Sequence, residues 1–232
     1  MMITGEASGV RFVAAPPARG GRRLVVVWHL LGEPGTPEAM AEALPLEGVD
    51  AWRLYAALPP WGQGADPVVD GYVALVEEAV AAMPGLVAAA RERWGCDDGP
   101  VDLVGGSAGG HVALTTALRG VVGVRRVAVV NPAVRVEAVV QASLEVGALE
   151  SYTWSDASRA AARPLDVLAR AADLDVPLLV VRGEQEYPAF RPVQAALCEA
   201  APHARLVDVP GLAHMLVTAQ DVVDAEVTAW LA

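Results

Sequence analysis

The sequence predicts an α/β protein with a mostly parallel central sheet of about six to seven strands and helices on both faces. Short runs rich in valine and leucine recur along the 232 residues. Most of these runs do not alternate with polar residues, which is typical of strands buried on both faces. Longer segments with helical spacing of apolar residues lie between them. A chain of this length is expected to form a single domain over residues 1–232.

Individual elements follow from these patterns. The predicted strands cover residues 23–29, 49–57, 100–105, 125–130, 176–182 and 204–209, with a further edge strand near 9–14. The predicted helices cover residues 68–83, 107–119, 190–201 and 217–231. Proline has no N–H to donate, so Pro84 is expected to break or restart the first helix before Trp94.

One connection is longer than the others. About 45 residues separate Val130 from Val176, too many for a single crossover helix. Two helices, near 135–149 and 156–172, are predicted to fill this segment. Long connections in compact domains are often functional, so we expect a small helical lid insertion at about 133–172, with Tyr152 and Trp154 over a pocket. A merely longer connection is the alternative.

Composition excludes several classes of function. The net charge of −11 disfavours nucleic acids and anionic membranes as partners. All 17 basic residues are arginines, and phosphate loops of the Walker type and Schiff-base chemistry both need a lysine. The sequence shows no apolar run near the roughly 20 residues of a membrane span. Its N-terminus does not resemble a signal peptide, so a soluble, cytoplasmic protein is expected.

Ser107 lies in the segment VDLVGGSAGGHVAL, which contains the pattern G-x-S-x-G. A predicted strand ends directly before the pattern and a predicted helix begins directly after it, as a strained nucleophile turn requires. The alternative is a glycine-rich phosphate cradle. Such a cradle normally follows the first strand of a sheet, with an acidic residue at the end of the next strand. Neither condition holds here, so the nucleophile is favoured.

A serine hydroxyl needs a base, and histidine is the side chain that titrates near neutral pH. His214 lies after the last predicted strand and just before the C-terminal helix, from where it could approach the strand ends. His111 is only four residues from Ser107 and is expected to be a packing residue. His29 ends a strand and His203 precedes one, so His214 is the predicted base.

An acidic residue must orient that histidine. Glu186 and Glu184 both follow the strand predicted at 176–182. Glu186 is preferred, because it lies three residues beyond Gly183, which is a natural distance for a loop to turn over the sheet edge. Glu184 remains the first alternative and Asp208 the second. The chain order of serine, acid and histidine is that of the nucleophile-elbow hydrolases.

Three segments together resemble the α/β-hydrolase superfamily, from about residue 20 to the end of the chain. GGSAGGHVAL is similar to the elbow of esterases related to hormone-sensitive lipase. RPLDVLARAADLDVPLLVVRGEQE resembles the segment that leads to the acid in many esterases and prolyl-oligopeptidase-like enzymes, and PGLAHML resembles their histidine loop. The resemblance implies a catalytic triad of Ser107, His214 and Glu186.

The sequence departs from this family at two places. The family usually has aspartate where this chain has Glu186. Its oxyanion loop usually reads His-Gly-Gly or His-Gly-X, whereas residues 28–35 here read WHLLGEPG. His29 matches the structural histidine of the family, and Leu30 replaces the glycine. The oxyanion hole is therefore expected to use the N–H of Ala108 and that of Leu31, or of Leu30 if the loop turns one residue earlier.

The expected function is that of a serine hydrolase acting on a small-molecule carboxylic ester or related acyl compound, with no metal or cofactor required. Trp61, Tyr152 and Trp154 are predicted to line an apolar substrate pocket, although each could equally be a packing residue. A thioesterase or cyclase would need the same catalytic residues. The alternative from another class is a non-hydrolytic protein of the same fold that acts as a binding module. The two departures from the family, Leu30 in place of glycine and Glu186 in place of aspartate, are the reason for considering it.

Overall fold

The computed structural model describes residues 2–232 and arranges them around one eight-stranded sheet. The strands are β1 Ile3–Ala7, β2 Val10–Ala15, β3 Arg23–Trp28, β4 Ala51–Ala56, β5 Val101–Gly106, β6 Val124–Val130, β7 Leu178–Gln185 and β8 Ala204–Ala213. Their spatial order is β1-β2-β4-β3-β5-β6-β7-β8. Strand β2 pairs antiparallel with β1 and β4, and the other pairs are parallel. The predicted fold class is confirmed, with two N-terminal strands where one edge strand was expected.

Helices cover both faces of the sheet. They are α1 Pro37–Ala43, α2 Ala74–Trp94, α3 Ser107–Arg119, α4 Val136–Glu145, α5 Asp156–Ala162, α6 Arg191–Ala200 and α7 Gln220–Leu231. A π-helical segment, Pro67–Val73, leads directly into α2, and 3₁₀ turns lie at Arg163–Leu165, Leu168–Asp173 and Leu216–Thr218. Helices α1 and α7 pack on one face, while α2, α3 and α6 pack on the other. The sheet therefore separates two buried apolar clusters.

The expectation that Pro84 would break or restart the helix before Trp94 was wrong. Helix α2 runs without a break through Pro84 to Trp94. Its neighbours Val80, Met83 and Leu86 are almost completely buried. Burying such side chains is worth about 1.5–3 kcal/mol each. Together they outweigh the cost of about 3 kcal/mol that an interior proline imposes on a helix.

Helix α1 was not predicted, although its start carries a recognisable signal. Thr36 accepts a hydrogen bond from the Ala39 N–H at 3.1 Å, and Pro37 occupies the first helical position. Both features favour the beginning of a helix. The combined helix Pro67–Trp94 is long and apolar enough to cross a membrane, but 56% of its most apolar window is buried inside the protein. That burial is typical of a core helix.

The parallel strands all point their carboxyl ends to the same edge of the sheet. Ser107 follows β5, Asn131 follows β6, Glu186 follows β7 and His214 follows β8. His29 follows β3, which lies beside β5. Ligands of open parallel sheets bind at this edge. The topology thus collects the polar residues of interest at one place.

Candidate active site

Ser107 occupies a sharp turn between β5 and α3, with a φ of +48°. A non-glycine residue in this region of φ is strained, and such strain clusters at functional sites. The flanking glycines allow the turn. A Cβ at Gly105 would overlap the backbone of Gly109, and a Cβ at Gly109 would overlap the carbonyl groups of Trp28 and His29. Strand and helix can approach this closely only because those side chains are absent.

The structure brings Ser107, His214 and Glu186 together in one hydrogen-bonded chain. The Nδ1 of His214 lies 2.7 Å from Oε1 of Glu186, and its Nε2 lies 3.0 Å from Oγ of Ser107. A carboxylate can only accept, so Nδ1 carries the proton and Nε2 is free to accept from the serine hydroxyl. His214 and Glu186 are both buried. This geometry allows the imidazole to take up the serine proton.

Glu186 is held by groups other than the histidine. Its Oε1 also accepts the N–H of Tyr187 at 2.6 Å, and its Oε2 accepts Nε2 of the buried Gln194 at 3.2 Å. The additional methylene of glutamate is therefore accommodated. The two alternative acids lie elsewhere: Glu184 is exposed and accepts the Gly211 N–H at 3.2 Å, and Asp208 is paired with Arg182 through both oxygens.

Asn131 links the strands that carry the acid and the histidine. Its Nδ2 donates to the carbonyl oxygens of Ala213 at 2.7 Å and His214 at 3.2 Å, while its Oδ1 accepts the Gly183 N–H at 2.7 Å. The residue is fully buried and has a φ of +45°. Sequence reasoning missed this role. The available signal was an Asn-Pro pair directly after a buried strand, because asparagine tolerates positive φ.

The loop after β3 distinguishes the two leucines proposed for the oxyanion hole. The Leu30 N–H donates to the Pro34 carbonyl at 3.1 Å, so the expectation that Leu30 could supply the oxyanion donor was wrong for this conformation. The Leu30 side chain is fully buried and fills the space above Gly106. Leu31 is 46% exposed and faces the cavity next to Ser107. That the N–H groups of Leu31 and of Ala108, at the start of α3, form the oxyanion hole stays a prediction.

His29 stabilises the same loop. Its Nε2 accepts the Leu58 N–H at 3.0 Å, and its Nδ1 donates to the Leu30 carbonyl at 2.5 Å. Burial lowers the pKa of His29, which favours the neutral ring that this pair of contacts requires. Met215 supports the loop from the other side: its sulfur accepts the Glu33 N–H at 3.3 Å. His29 and Met215 therefore hold this loop in place at the edge of the candidate site.

His111 lies beneath the site rather than in it. Its Nε2 donates to the Leu165 carbonyl at 2.7 Å, so Nδ1 accepts the hydroxyl of Tyr72 at 2.9 Å. The ring is fully buried, and burial lowers its pKa to about 4. A neutral histidine with both nitrogens hydrogen-bonded is a packing residue, as expected from its closeness in sequence to Ser107.

A small cavity opens beside Ser107, and a larger cavity adjoins it. The small lobe, of about 230 Å³, is lined by Ser107, His214, Tyr187, Phe190 and Met215 among others. The large lobe, of about 420 Å³, is lined by Trp61, Pro67, Val68, Val136, Val140 and Leu149. Both lobes share Leu31, Tyr72, Val139, Ser143 and Ala148 as walls, so they lie next to each other.

The three aromatic residues predicted for substrate binding lie in different places. Trp61 is 41% exposed and lines the large lobe. Tyr152 and Trp154 do not line either lobe, so their prediction as cavity walls was wrong. Tyr152 instead donates its hydroxyl to Asp66 at 2.8 Å and packs edge-on against Trp154. The segment around them thus contacts the beginning of the π-helical segment through Asp66, while α4 supplies part of the cavity wall. Opening of residues 133–172 as a lid stays a prediction.

Comparisons with known proteins support the fold but not a closer relationship. No protein-family model matches the sequence, and no curated protein matches it significantly. An esterase from Pyrobaculum calidifontis has a TM-score of 0.70 at 22% identity, over 100% of this chain and 83% of that chain. A hormone-sensitive lipase from a metagenome library has a TM-score of 0.70 at 17% identity, with the same coverage.

A third similar structure is MGS-MChE2, described as an alpha/beta hydrolase enzyme from the metagenome of sediments of the Mar Chica lagoon in Morocco. It is 14% identical, covers 98% of this chain and 97% of its own, and has a TM-score of 0.63. At these identities the likeness establishes a shared architecture over nearly the whole chain. The chain therefore has the α/β-hydrolase fold.

Proposed function

We propose that this protein is a serine hydrolase that cleaves a carboxylic ester or a related acyl compound through an acyl-enzyme on Ser107. One observation carries the proposal: a strained serine at a strand–helix turn is hydrogen-bonded to His214, which is hydrogen-bonded to Glu186. These are the parts that nucleophilic catalysis by serine requires. The structural neighbours include an esterase and a hormone-sensitive lipase, and this supports ester hydrolysis as the reaction.

In the first step, His214 Nε2 accepts the hydroxyl proton as Ser107 Oγ attacks the acyl carbon. Glu186 stabilises the resulting imidazolium and keeps its Nδ1 in place. The tetrahedral oxyanion is bound by the N–H groups of Ala108 and Leu31, aided by the positive end of the α3 dipole. His214 then gives the proton to the leaving oxygen, and the C–O bond to the alcohol breaks.

In the second step, water attacks the acyl-enzyme. His214 takes one proton of the water, and the hydroxide adds to the acyl carbon. Collapse of the second tetrahedral intermediate returns the proton to Ser107 Oγ and releases the carboxylic acid. The balance is one ester and one water to one acid and one alcohol. Every proton transfer uses residues of this chain.

The decisive test is active-site labelling. The folded protein is incubated with a fluorophosphonate, and the modified peptide is located by mass spectrometry. We expect one adduct on Ser107 of the wild type and none on Ser107→Ala or on urea-denatured wild type. The same Ser107→Ala variant should lose hydrolysis of p-nitrophenyl butyrate. A folded wild type that forms no adduct and does not hydrolyse the ester would contradict the proposal and favour a binding protein.

A further inference from the structure

We propose that these two adjacent lobes divide the substrate into two parts, with a neutral acyl chain of medium length, or an aryl acyl group, in the large lobe and a short alcohol in the small lobe. This inference rests on the proposed ester hydrolysis and adds the substrate class. It is carried by the different linings of the two lobes and by where His214 lies.

His214 determines which end of the ester occupies which lobe. A general acid must come within about 2.6–3.2 Å of the oxygen to which it gives a proton. The leaving alcohol therefore lies beside His214, which lines the small lobe together with Tyr187, Phe190 and Met215. The acyl chain, which is attached to the ester carbonyl carbon, extends from that carbon in the direction away from His214, past Leu31 and Tyr72. These two residues are walls of both lobes, so this path leads into the large lobe.

The residues that line the large lobe determine which kind of acyl group it can hold. Among the residues that the structure describes, those lining it carry no charged side chain. Its two hydroxyl groups are already used: Ser143 donates to the Val139 carbonyl at 2.8 Å, and Tyr72 donates to His111. A carboxylate or ammonium group placed there would lose its hydration and would meet no side chain of opposite charge. The lobe thus favours hydrocarbon.

The volumes set the size of each part. A cavity of about 150 Å³ holds one benzene molecule. The large lobe, at about 420 Å³, has nearly three times that space, enough for a medium-length chain or a substituted ring. The small lobe, at about 230 Å³, must also hold the ester group against Ser107, so its remaining space suits a short alcohol.

A pair of isomeric esters tests this division on the wild-type protein. Ethyl octanoate and octyl acetate have the same atoms but carry the long chain on opposite sides of the ester. Each buried methylene contributes about 0.8 kcal/mol, equivalent to about a fourfold gain in kcat/KM. Six methylenes change sides between the two esters, and the small lobe can hold some of them. We expect kcat/KM for ethyl octanoate to be at least tenfold higher.

A substitution in the large lobe tests its identity. Leu149 is half-buried in the loop after α4 and lines only the large lobe. Leu149→Trp should lower the ratio of kcat/KM for ethyl octanoate to that for ethyl acetate at least tenfold, because the indole fills the space for the chain. Val222→Trp is the matched control. Val222 is an exposed residue of α7 outside both lobes, so its variant should keep the wild-type ratio.

The outcomes separate the inference from the proposed function. If Ser107 is labelled by the fluorophosphonate and octyl acetate is hydrolysed as fast as ethyl octanoate, the division of the substrate is wrong while the hydrolase stands. Labelling of Ser107 without turnover of either isomer also overturns the inferred substrate class. Absence of labelling together with absence of all ester hydrolysis overturns the proposed function, and the inference with it.

Discussion

Replacing Asn131 by glycine is expected to destabilise the protein by about 3 kcal/mol. The side chain makes three hydrogen bonds, to Ala213, His214 and Gly183, each worth about 1 kcal/mol net. Glycine removes all three but adopts the φ of +45° without strain. For a chain of this size, 1 kcal/mol corresponds to about 2–4 °C in Tm, so Tm should fall by about 6–12 °C.

The alanine variant separates the side chain from the backbone. Asn131→Ala loses the same bonds and also places a Cβ in a left-handed conformation, which costs about 1–2 kcal/mol. We therefore expect Asn131→Ala to be less stable than Asn131→Gly by about 1 kcal/mol. Both free energies of unfolding are measured by urea titration with far-ultraviolet circular dichroism and tryptophan fluorescence.

Activity gives a second readout for Asn131. The carbonyl of His214 is one of its partners, so the imidazole is expected to shift when the bond is lost. Displacement of a catalytic group by about 1 Å can cost up to a hundredfold in rate. We expect kcat on p-nitrophenyl butyrate to fall at least tenfold in Asn131→Gly, with KM changed less than twofold. A glycine variant within 0.5 kcal/mol of the wild type and fully active would refute this reasoning.

Three further predictions concern the elbow, the acid and the buried histidine. Glu186→Gln removes the charge that supports the imidazolium and should lower kcat by roughly a thousandfold or more, whereas Glu184→Gln should stay within twofold; the reverse order in ester hydrolysis would exchange their roles. Gly109→Ala places a methyl against two carbonyl groups and should cost about 1–3 kcal/mol in urea unfolding, so an unchanged midpoint would contradict the close contact. The pKa of His111 is lowered to about 4 in the folded protein, so the unfolded chain binds its proton more tightly. Its stability contribution is full above about pH 6.5 and is lost as the pH falls toward 4, by about 2 kcal/mol between pH 8 and pH 5. The pH dependence of unfolding should therefore be shallower by that amount in His111→Gln than in the wild type, and equal slopes would argue against a buried neutral ring.

Much of the architecture could be predicted because its signals are local. The valine-rich runs identify the parallel strands, and the glycines around Ser107 indicate a turn that larger residues would prevent. The sequence carries further local signals for the helices. The Thr-Pro pair at residues 36–37 marks the start of α1, and the buried apolar neighbours of Pro84 favour a continuous α2.

The candidate triad was also accessible from the sequence, because chain order and position after a strand restrict where a base and an acid can lie. The choice between Glu186 and Glu184 was a preference based on loop length. The structure separates these two residues: one side chain turns inward to His214, and the other turns outward to Gly211. Both candidates are glutamates, and they are only two positions apart after the same strand. Residue type and position along the chain therefore could not distinguish them.

Short-range sterics and hydrophobic periodicity were enough to predict most of the strands and helices, the turn at Ser107, and the histidine and acidic residue that could act with that serine. Three features are visible only in the folded protein: the Leu30 N–H donates to the Pro34 carbonyl, Tyr152 turns away from the cavity to Asp66, and Asn131 joins two strands. Each of these depends on a hydrogen bond between backbone or side-chain groups whose partners are set by loop closure and packing. Such partners leave no periodic pattern in the sequence.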